Sequence, residues 1–349
     1  MHELQRELGL ERIVKLGSNE GAFGPLPAAA SAFEACAGSL DRYPDPSGGA
    51  LRERLAARYG VGAEQVVLGD GADELIRFCG LVTLDPGDRA VFPWPSFPSY
   101  VAAAGCCGAE AVHVPLRERA PDLDAVLAAC GEGEGRTKVV YLANPNNPTG
   151  TLLDPGALRD FLDGLPAHVL CVLDEAYAEY ADPEPEGMAL VRDGRPRLCV
   201  LRTFSKVYGL AALRIGYAVA SPEIADALDR VRPIFNVSQP AQEAALAALG
   251  EPDEIERRVA HARGAREWLR RTLAAHGLDP EPSQANFVYA DTPDGDGAAL
   301  ADRLLRAGVI VRALGGFGAP GAIRVTCGTD EENEFFAAAL KRVTGEPAA

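Results

Sequence analysis

Lysine is almost missing from this sequence. Of its 34 basic side chains only four are lysines: Lys15, Lys138, Lys206 and Lys341. Positive charge as a whole is scarce too, since 50 acidic side chains leave a net charge of -16 and a pI near 4.8. That balance argues against nucleic acid or an anionic membrane as partner, because both need a basic face. A local basic pocket for a small anion is still allowed. No apolar run reaches the ~18 residues that a membrane span requires. The N-terminal MHELQRELGLERIVKL has no signal-peptide apolar block, so the expected location is cytoplasmic. The eight cysteines form no C-x-x-C pair and read as reduced core thiols; the adjacent Cys106 and Cys107 are open to a vicinal redox pairing, with buried structural thiols the expectation. The five histidines lack metal-ligand spacing, so no metal site is expected.

What is present is a β/α texture. Short apolar runs at 65–68, 89–92, 111–114, 138–142, 169–173, 198–203 and 215–220 alternate with helical stretches. Runs that are apolar throughout, rather than at every second position, predict a mainly parallel sheet covered by helices on both faces. The expected large α/β domain spans 46–240. A long Ala/Glu/Arg-rich helical region is expected over 241–276. Strands at 286–290, 309–312 and 322–326 and helices at 297–307 and 331–343 then complete a smaller α+β domain, made of 1–45 plus 241–349.

In an open parallel sheet, ligands bind outside the carboxyl ends of the strands. The polar strings of this chain fall at those ends. Gly69-Asp70-Gly71-Ala72-Asp73-Glu74 leads into a helix whose first N–H groups suit a phosphate, or it is an ordinary capped turn. Phe97 follows the second run and can stack on a planar ring or fill the core, the latter being the expected place of Trp94. Asn144-Pro145-Asn146-Asn147-Pro148-Thr149-Gly150 is a rigid turn in which an amide can meet a ring oxygen. Asp174-Glu175-Ala176-Tyr177 delivers a carboxylate at the end of an apolar strand, which is costly without a cationic partner; a protonated pyridine nitrogen is one. Thr203-Phe204-Ser205-Lys206 with Arg214 offers a hydroxyl, an amine and a guanidinium. A partly buried lysine can lose its proton and act as an amine nucleophile, which arginine cannot. Each string has a bland reading. Together they describe the binding of pyridoxal 5'-phosphate: a phosphate cradle, a ring stacker, a ring-oxygen donor, a ring-nitrogen carboxylate and an imine-forming lysine.

The chain resembles the fold-type-I pyridoxal-phosphate aminotransferases, and among them the histidinol-phosphate aminotransferase family, over roughly 14–340. The strings that carry the resemblance are KLGSNEGAFGP, RYPD, GADE, NPNNPTG, DEAY, LRTFSKVYGLAALRIGY, FNVSQPAQ, ANFV and GVIVRALGGFGAPGAIRVTCGT. The resemblance implies an aspartate-aminotransferase-like fold with a seven-stranded large sheet. It implies Lys206 as the cofactor lysine and general base, Asp174 at the pyridine nitrogen, Tyr177 and Asn147 at the ring oxygen, and Phe97 stacked on the ring. Ala72 and Asp73 (by their backbone), Ser205 and Arg214 would hold the phosphate. Tyr43 of RYPD would reach the neighbouring subunit's phosphate site, which implies a homodimer with shared active sites. Arg324 is similar to the carboxylate clamp of the family, and Arg312 to the arginine near the substrate's distal group. Asn19 and Phe23 fall in the N-terminal substrate-side string, where this chain reads Asn19-Glu20-Gly21-Ala22 in place of NENP.

The implied reaction transfers the amino group of histidinol phosphate to 2-oxoglutarate, a step of histidine biosynthesis. Phe23, Phe97 and Phe235 stand where some members carry tyrosine, so an aromatic-amino-acid aminotransferase is the alternative. Decarboxylation of an amino-acid phosphate keeps the same cofactor chemistry. A cofactor-binding regulator would need a basic DNA-binding module, which the acidic balance disfavours.

Overall fold

A computed structural model describes residues 2–345 of the chain. All seven apolar runs are strands of one sheet. Their order across it is Val66–Gly69, Gly216–Ala220, Leu198–Thr203, Leu170–Asp174, Thr137–Ala143, Arg89–Trp94 and Glu110–Pro115. Gly216–Ala220 alone runs in the direction opposite to the other six strands. Successive residues of a strand point to opposite faces, and both faces here are core. Val140, Leu142, Cys171, Leu173 and Val200 enter one core. Their neighbours Val139, Tyr141, Leu170, Val172, Cys199 and Leu201 enter the other. Burial on both sides is why these segments read as unbroken apolar runs.

The second part is built on a four-stranded antiparallel sheet, ordered Arg312–Ala313, Ala322–Thr326, Phe287–Asp291 and Asp279–Pro280. Val288, Ala290, Ile323 and Val325 pack against helices Gly297–Arg306, Asp330–Thr344 and Pro252–Ala275 through Leu300, Leu304, Phe336 and Leu269. The alternate residues, Phe287 and Tyr289 among them, lie outside that core, and Phe287 joins the core of the large sheet.

Three expectations change in detail. Cys106 is exposed and Cys107 half-buried where helix Ser99–Cys106 ends at the surface, so neither is the buried core thiol expected. The run at 309–312 is divided. Val309–Ile310 pairs in parallel with Val14–Lys15, while Arg312–Ala313 joins the antiparallel sheet. The helical region at 241–276 is two helices, Gln239–Ala248 and Pro252–Ala275. Pro252 lacks the N–H that would continue the first helix and begins the second, where that N–H is not needed. Helices Pro27–Ala35 and Gln239–Ala248 pack on each other, and Ala29, Ala241, Ala244 and Ala245 belong to the core of the large sheet. No helix among the described residues is long and apolar enough to cross a membrane.

Candidate active site

Four parallel strands end side by side on one edge. Register places Ala143 opposite Asp174, and Asp174 opposite Leu201 near the end at Thr203. Beyond this edge lies a cavity of about 330 Å³. It collects Asn19, Ala72, Asp73, Phe97, Asn147, Asp174, Tyr177, Ser205, Lys206, Arg214, Arg312 and Arg324 from across the sequence.

Asp174 is the last residue of its strand and is buried. Tyr100 donates a 2.8 Å hydrogen bond to its Oδ2, and the Ala176 N–H donates to Oδ1 at 3.2 Å. Burial, helped by the nearby Asp73, pushes the carboxyl up from 3.8 to about 6, against the pull of Tyr100, the Ala176 N–H and Lys206. Lys206 follows the strand Leu198–Thr203, and its Nζ lies 5.4 Å from the centre of the Tyr177 ring. The Tyr177 hydroxyl accepts from Asn19 Nδ2 at 2.9 Å. Asn19 is fixed in turn by Thr326, whose hydroxyl donates to Asn19 Oδ1 at 3.1 Å and accepts from its backbone N–H at 3.0 Å.

The asparagine-rich loop divides its labour. Asn144 Oδ1 accepts from the Leu153 N–H at 2.9 Å, and Asn146 Nδ2 donates to Thr149 at 2.8 Å. These two amides brace the turn, while Asn147 lines the cavity and its Oδ1 accepts from Arg324 Nη1. At the other end, helix Gly71–Thr83 starts at the cavity without a side-chain cap. Its first N–H groups are free for an anion. Arg214 approaches this helix end only because position 71 is glycine: a Cβ there would fall on the guanidinium. Asp73 Oδ1 is buried without a hydrogen-bond partner.

Arg324 is 3% exposed and lies between Phe287 and Phe317, 5.2 and 5.1 Å from the ring centres. Its Nη2 and the Arg312 Nε both donate to the Gly17 carbonyl, at 3.2 and 3.1 Å. Burial lowers the Arg324 guanidinium from 12.5 to about 10, and Arg312 adds to that lowering. Arg324 Nε has no hydrogen-bond partner. The geometry offers an amine and a buried carboxyl at one wall, an anion cradle at a second, and two guanidiniums at a third.

The profile of the family described as "Aminotransferase class I and II" matches residues 11–340. The chain belongs to this family. It is 44% identical over 349 residues to a protein named histidinol-phosphate aminotransferase from Anaeromyxobacter sp., covering 99% of this chain and 94% of that one. It is 43% identical over 327 residues to an aromatic amino acid aminotransferase of Thermobifida fusca, covering 93% and 89%. Among solved structures, the histidinol-phosphate aminotransferase of Sinorhizobium meliloti in complex with pyridoxal-5'-phosphate superposes with a TM-score of 0.92 at 33% identity, covering 98% and 94%. The enzyme is therefore an aminotransferase, with the aspartate-aminotransferase-like fold that the resemblance implied and the mainly parallel sheet that its strand pattern predicted.

Two expected site residues lie outside the aminotransferase cavity. Phe23 packs edge-on against His261, centroids 4.9 Å apart, under the Arg257 guanidinium, and lines a small neighbouring pocket. Tyr43 is 82% exposed and stacks on Phe235 with centroids 4.6 Å apart. Sequence reading missed Tyr100, Thr326 and Phe317. Tyr100 follows Phe97 by one helical turn, which is a usable signal for a second residue facing the same wall. The other two have none.

Proposed function

We propose that this aminotransferase uses pyridoxal 5'-phosphate and takes histidinol phosphate as amino donor, with 2-oxoglutarate as acceptor. The residues fit the cofactor. Asp174 is a buried carboxylate with hydrogen-bond donors but no ion-pair partner among the described residues, which suits a pyridinium nitrogen. The uncapped helix start at Ala72 and Asp73, with Ser205 and Arg214, suits a phosphate. When bound, the cofactor supplies an aldehyde to carry the amino group and a ring that withdraws electrons. In this reading Lys206 would hold the cofactor by its aldehyde carbon and serve as the base that moves the substrate's Cα proton. Asp174 would keep the ring nitrogen protonated, Tyr177 and Asn147 would hydrogen-bond the ring oxygen, and Phe97 would cover the ring.

One observation carries the choice of donor. Arg312 and Arg324 are directly opposite in an antiparallel strand pair. Like charges so placed repel, and neither has a carboxylate partner among the described residues. Their protein acceptors are the Gly17 carbonyl and the Asn147 amide oxygen. A phosphomonoester, with a charge near -2, neutralises both arginines; a single carboxylate neutralises one. Arg324 also serves as the bidentate clamp for the carboxylate of the second substrate. The aromatic-amino-acid reading draws on Phe97 and Phe317 in the cavity wall and on the Thermobifida relative.

A single-turnover experiment decides. The enzyme loaded with pyridoxal phosphate is mixed with histidinol phosphate, phenylalanine or glutamate, without acceptor, and loss of the cofactor band is followed. Fast conversion by histidinol phosphate with phenylalanine slow supports the proposal. Preference for phenylalanine replaces it with the aromatic reading. Lys206→Ala abolishes the band if Lys206 holds the cofactor.

The same reading makes the enzyme a cytoplasmic homodimer. Leu40, Tyr43, Ile234 and Phe235 form an exposed apolar group at 70, 82, 75 and 37% exposure, as a subunit face would. Tyr43 on that face would serve the partner's phosphate site. The two-domain division, 46–240 against 1–45 plus 241–349, belongs to this proposal, with helices Pro27–Ala35 and Gln239–Ala248 at the seam.

A further inference from the structure

We propose that Arg119 is a positioning residue: a latch that holds the sheet bearing Arg324 against the Asn147 loop. The inference rests on the reading of Arg324 as the substrate carboxylate clamp.

The latch begins in a tight turn. Arg117 and Ala120 exchange both backbone hydrogen bonds, each 2.9 Å. The two central residues, Glu118 and Arg119, have φ of 48° and 65°. Such a turn favours asparagine and glycine. Two consecutive long side chains in the left-handed region are strained and persist only where the surroundings over-determine them.

What the turn presents is the Arg119 guanidinium. It donates to Glu281 at 3.2 Å, to Asp291 at 2.5 Å and to Asp279. It also lies 5.6 Å from the centre of the Tyr289 ring, and the Tyr289 hydroxyl donates to Asp291 Oδ1 at 2.7 Å. These partners belong to the antiparallel sheet, and Tyr289 is directly opposite Arg324 in its register. Phe287, two residues back on the same face, flanks Arg324. One strand face is therefore gripped by Arg119 at one end and backs the cavity residue Arg324 at the other.

The turn is tied to the Asn147 loop as well. The Arg119 carbonyl accepts from Thr151 Oγ1 at 3.4 Å; Thr151 and Thr149 share a 2.9 Å hydrogen bond, and Thr149 accepts from Asn146 at 2.8 Å. Next in the chain is Asn147, the acceptor for Arg324 Nη1. The contacts close a ring from Arg119 through the antiparallel sheet to Arg324, across to Asn147 and back. A ring of this kind fixes Arg324 relative to the Asn147 loop. Of the groups assigned to the cofactor it contains only Asn147, at the ring oxygen, and none of those at the phosphate or ring nitrogen.

The test is succinate binding to the enzyme loaded with pyridoxal phosphate, read from the cofactor band, in wild type, Arg119→Met, Asp291→Asn, the double variant and Arg324→Ala. Arg119→Met is expected to weaken succinate and raise KM for 2-oxoglutarate by about 5- to 10-fold, a coupling of ordinary size. Cofactor affinity and kcat stay within about 2-fold, since the effect is on substrate positioning. Asp291→Asn weakens succinate in the wild type but adds nothing to Arg119→Met, because the two act through one contact. If Arg324→Ala abolishes succinate binding while Arg119→Met binds it like wild type, the latch is overturned and the clamp stands. If Arg324→Ala binds succinate normally, the clamp reading fails and the latch with it. Equal losses in succinate and cofactor affinity on Arg119→Met would show general damage and also overturn the latch.

Discussion

Asp174→Asn should make the cofactor-free protein more stable at neutral pH, although it removes a residue assigned to the chemistry. The carboxyl titrates near 6 in the folded chain against 3.8 ordinarily, because burial outweighs Tyr100, the Ala176 N–H and Lys206. At about 1.4 kcal/mol per pH unit, that gap is worth roughly 3 kcal/mol. Its sign follows from proton counting. Between pH 3.8 and 6 the folded chain keeps a proton that the unfolded chain has released, so the contribution of Asp174 to stability falls as pH rises through that window. Below it the carboxyl costs nothing; above it the whole penalty is present.

Asparagine has no proton to release, so its pH dependence vanishes. It gives up one of the two hydrogen bonds at this position, a pH-independent loss of about 1 kcal/mol. The assay is urea unfolding of both cofactor-free proteins from pH 4.5 to 8. The stability difference should move in favour of the variant by about 2 kcal/mol across that range, most of it below pH 6.5. A difference flat to within about 0.5 kcal/mol would refute the claim that Asp174 is held as a penalised carboxylate. Cofactor affinity should change the other way. A pyridinium partner relieves the penalty in the wild type, whereas the variant has no charge to offer it.

Tyr100→Phe removes a bond to a charged group worth about 1.5 to 3 kcal/mol, so the acid limb of cofactor association, followed by titration at varied pH, should move up by roughly one to two pH units. An unmoved limb would mean that the 2.8 Å contact does not stabilise the ionised form. Gly71→Ala places a methyl on the Arg214 guanidinium at a φ of 69°. The cofactor dissociation constant should rise by about 10-fold or more, and undiminished affinity would remove Arg214 from the phosphate site. Glu175→Ala strips a buried carboxylate that takes 3.1 and 2.8 Å bonds from the buried Arg202. It should cost about 3 to 5 kcal/mol in urea unfolding, and a loss under about 1 kcal/mol would show that Glu184, which accepts from Arg202 Nη1 at 2.6 Å, alone suffices for Arg202.

Legibility in the sequence followed sequence distance. Six of the seven strands could be read because each buries both faces and so writes an unbroken apolar run, whereas the edge strand Glu110–Pro115, with His113 exposed, showed only the apolar residues around that histidine. The cavity could be placed because parallel strands deliver their polar strings to one edge. The break at Pro252 was also written locally, and was missed because alanine and charged helix formers continue on both sides. The split of 309–312 was not written locally. Val309 and Ile310 turn to a partner near the N-terminus, and Arg312 to one near residue 324, with only Val311 between.

The arginines show why a residue list is not yet a site. Arg312 and Arg324 are both visible in the sequence, as are 28 other arginines. Nothing in the spacing of twelve says that they face each other, because the chain between them reverses through Gly315–Phe317 before it returns. Only the register makes them a pair of like charges, and only the burial of Arg324 between Phe287 and Phe317, with the exposed Arg312 opposite it, turns that pair into a demand for an anion. Tyr100 and Asp174, 74 residues apart, make the same point from the other wall. Each side chain was nameable from its neighbours in the chain, but the electrostatics that make it useful come from neighbours that only the fold supplies. Substrate choice lives in those second relations. The mechanism was therefore more legible than the donor, and Arg312→Ala is the variant that separates the two. It should weaken histidinol phosphate by about 10-fold or more and phenylalanine by about 2-fold or less, since only the former needs the second charge. Equal losses would return the donor question to the apolar wall formed by Phe97 and Phe317.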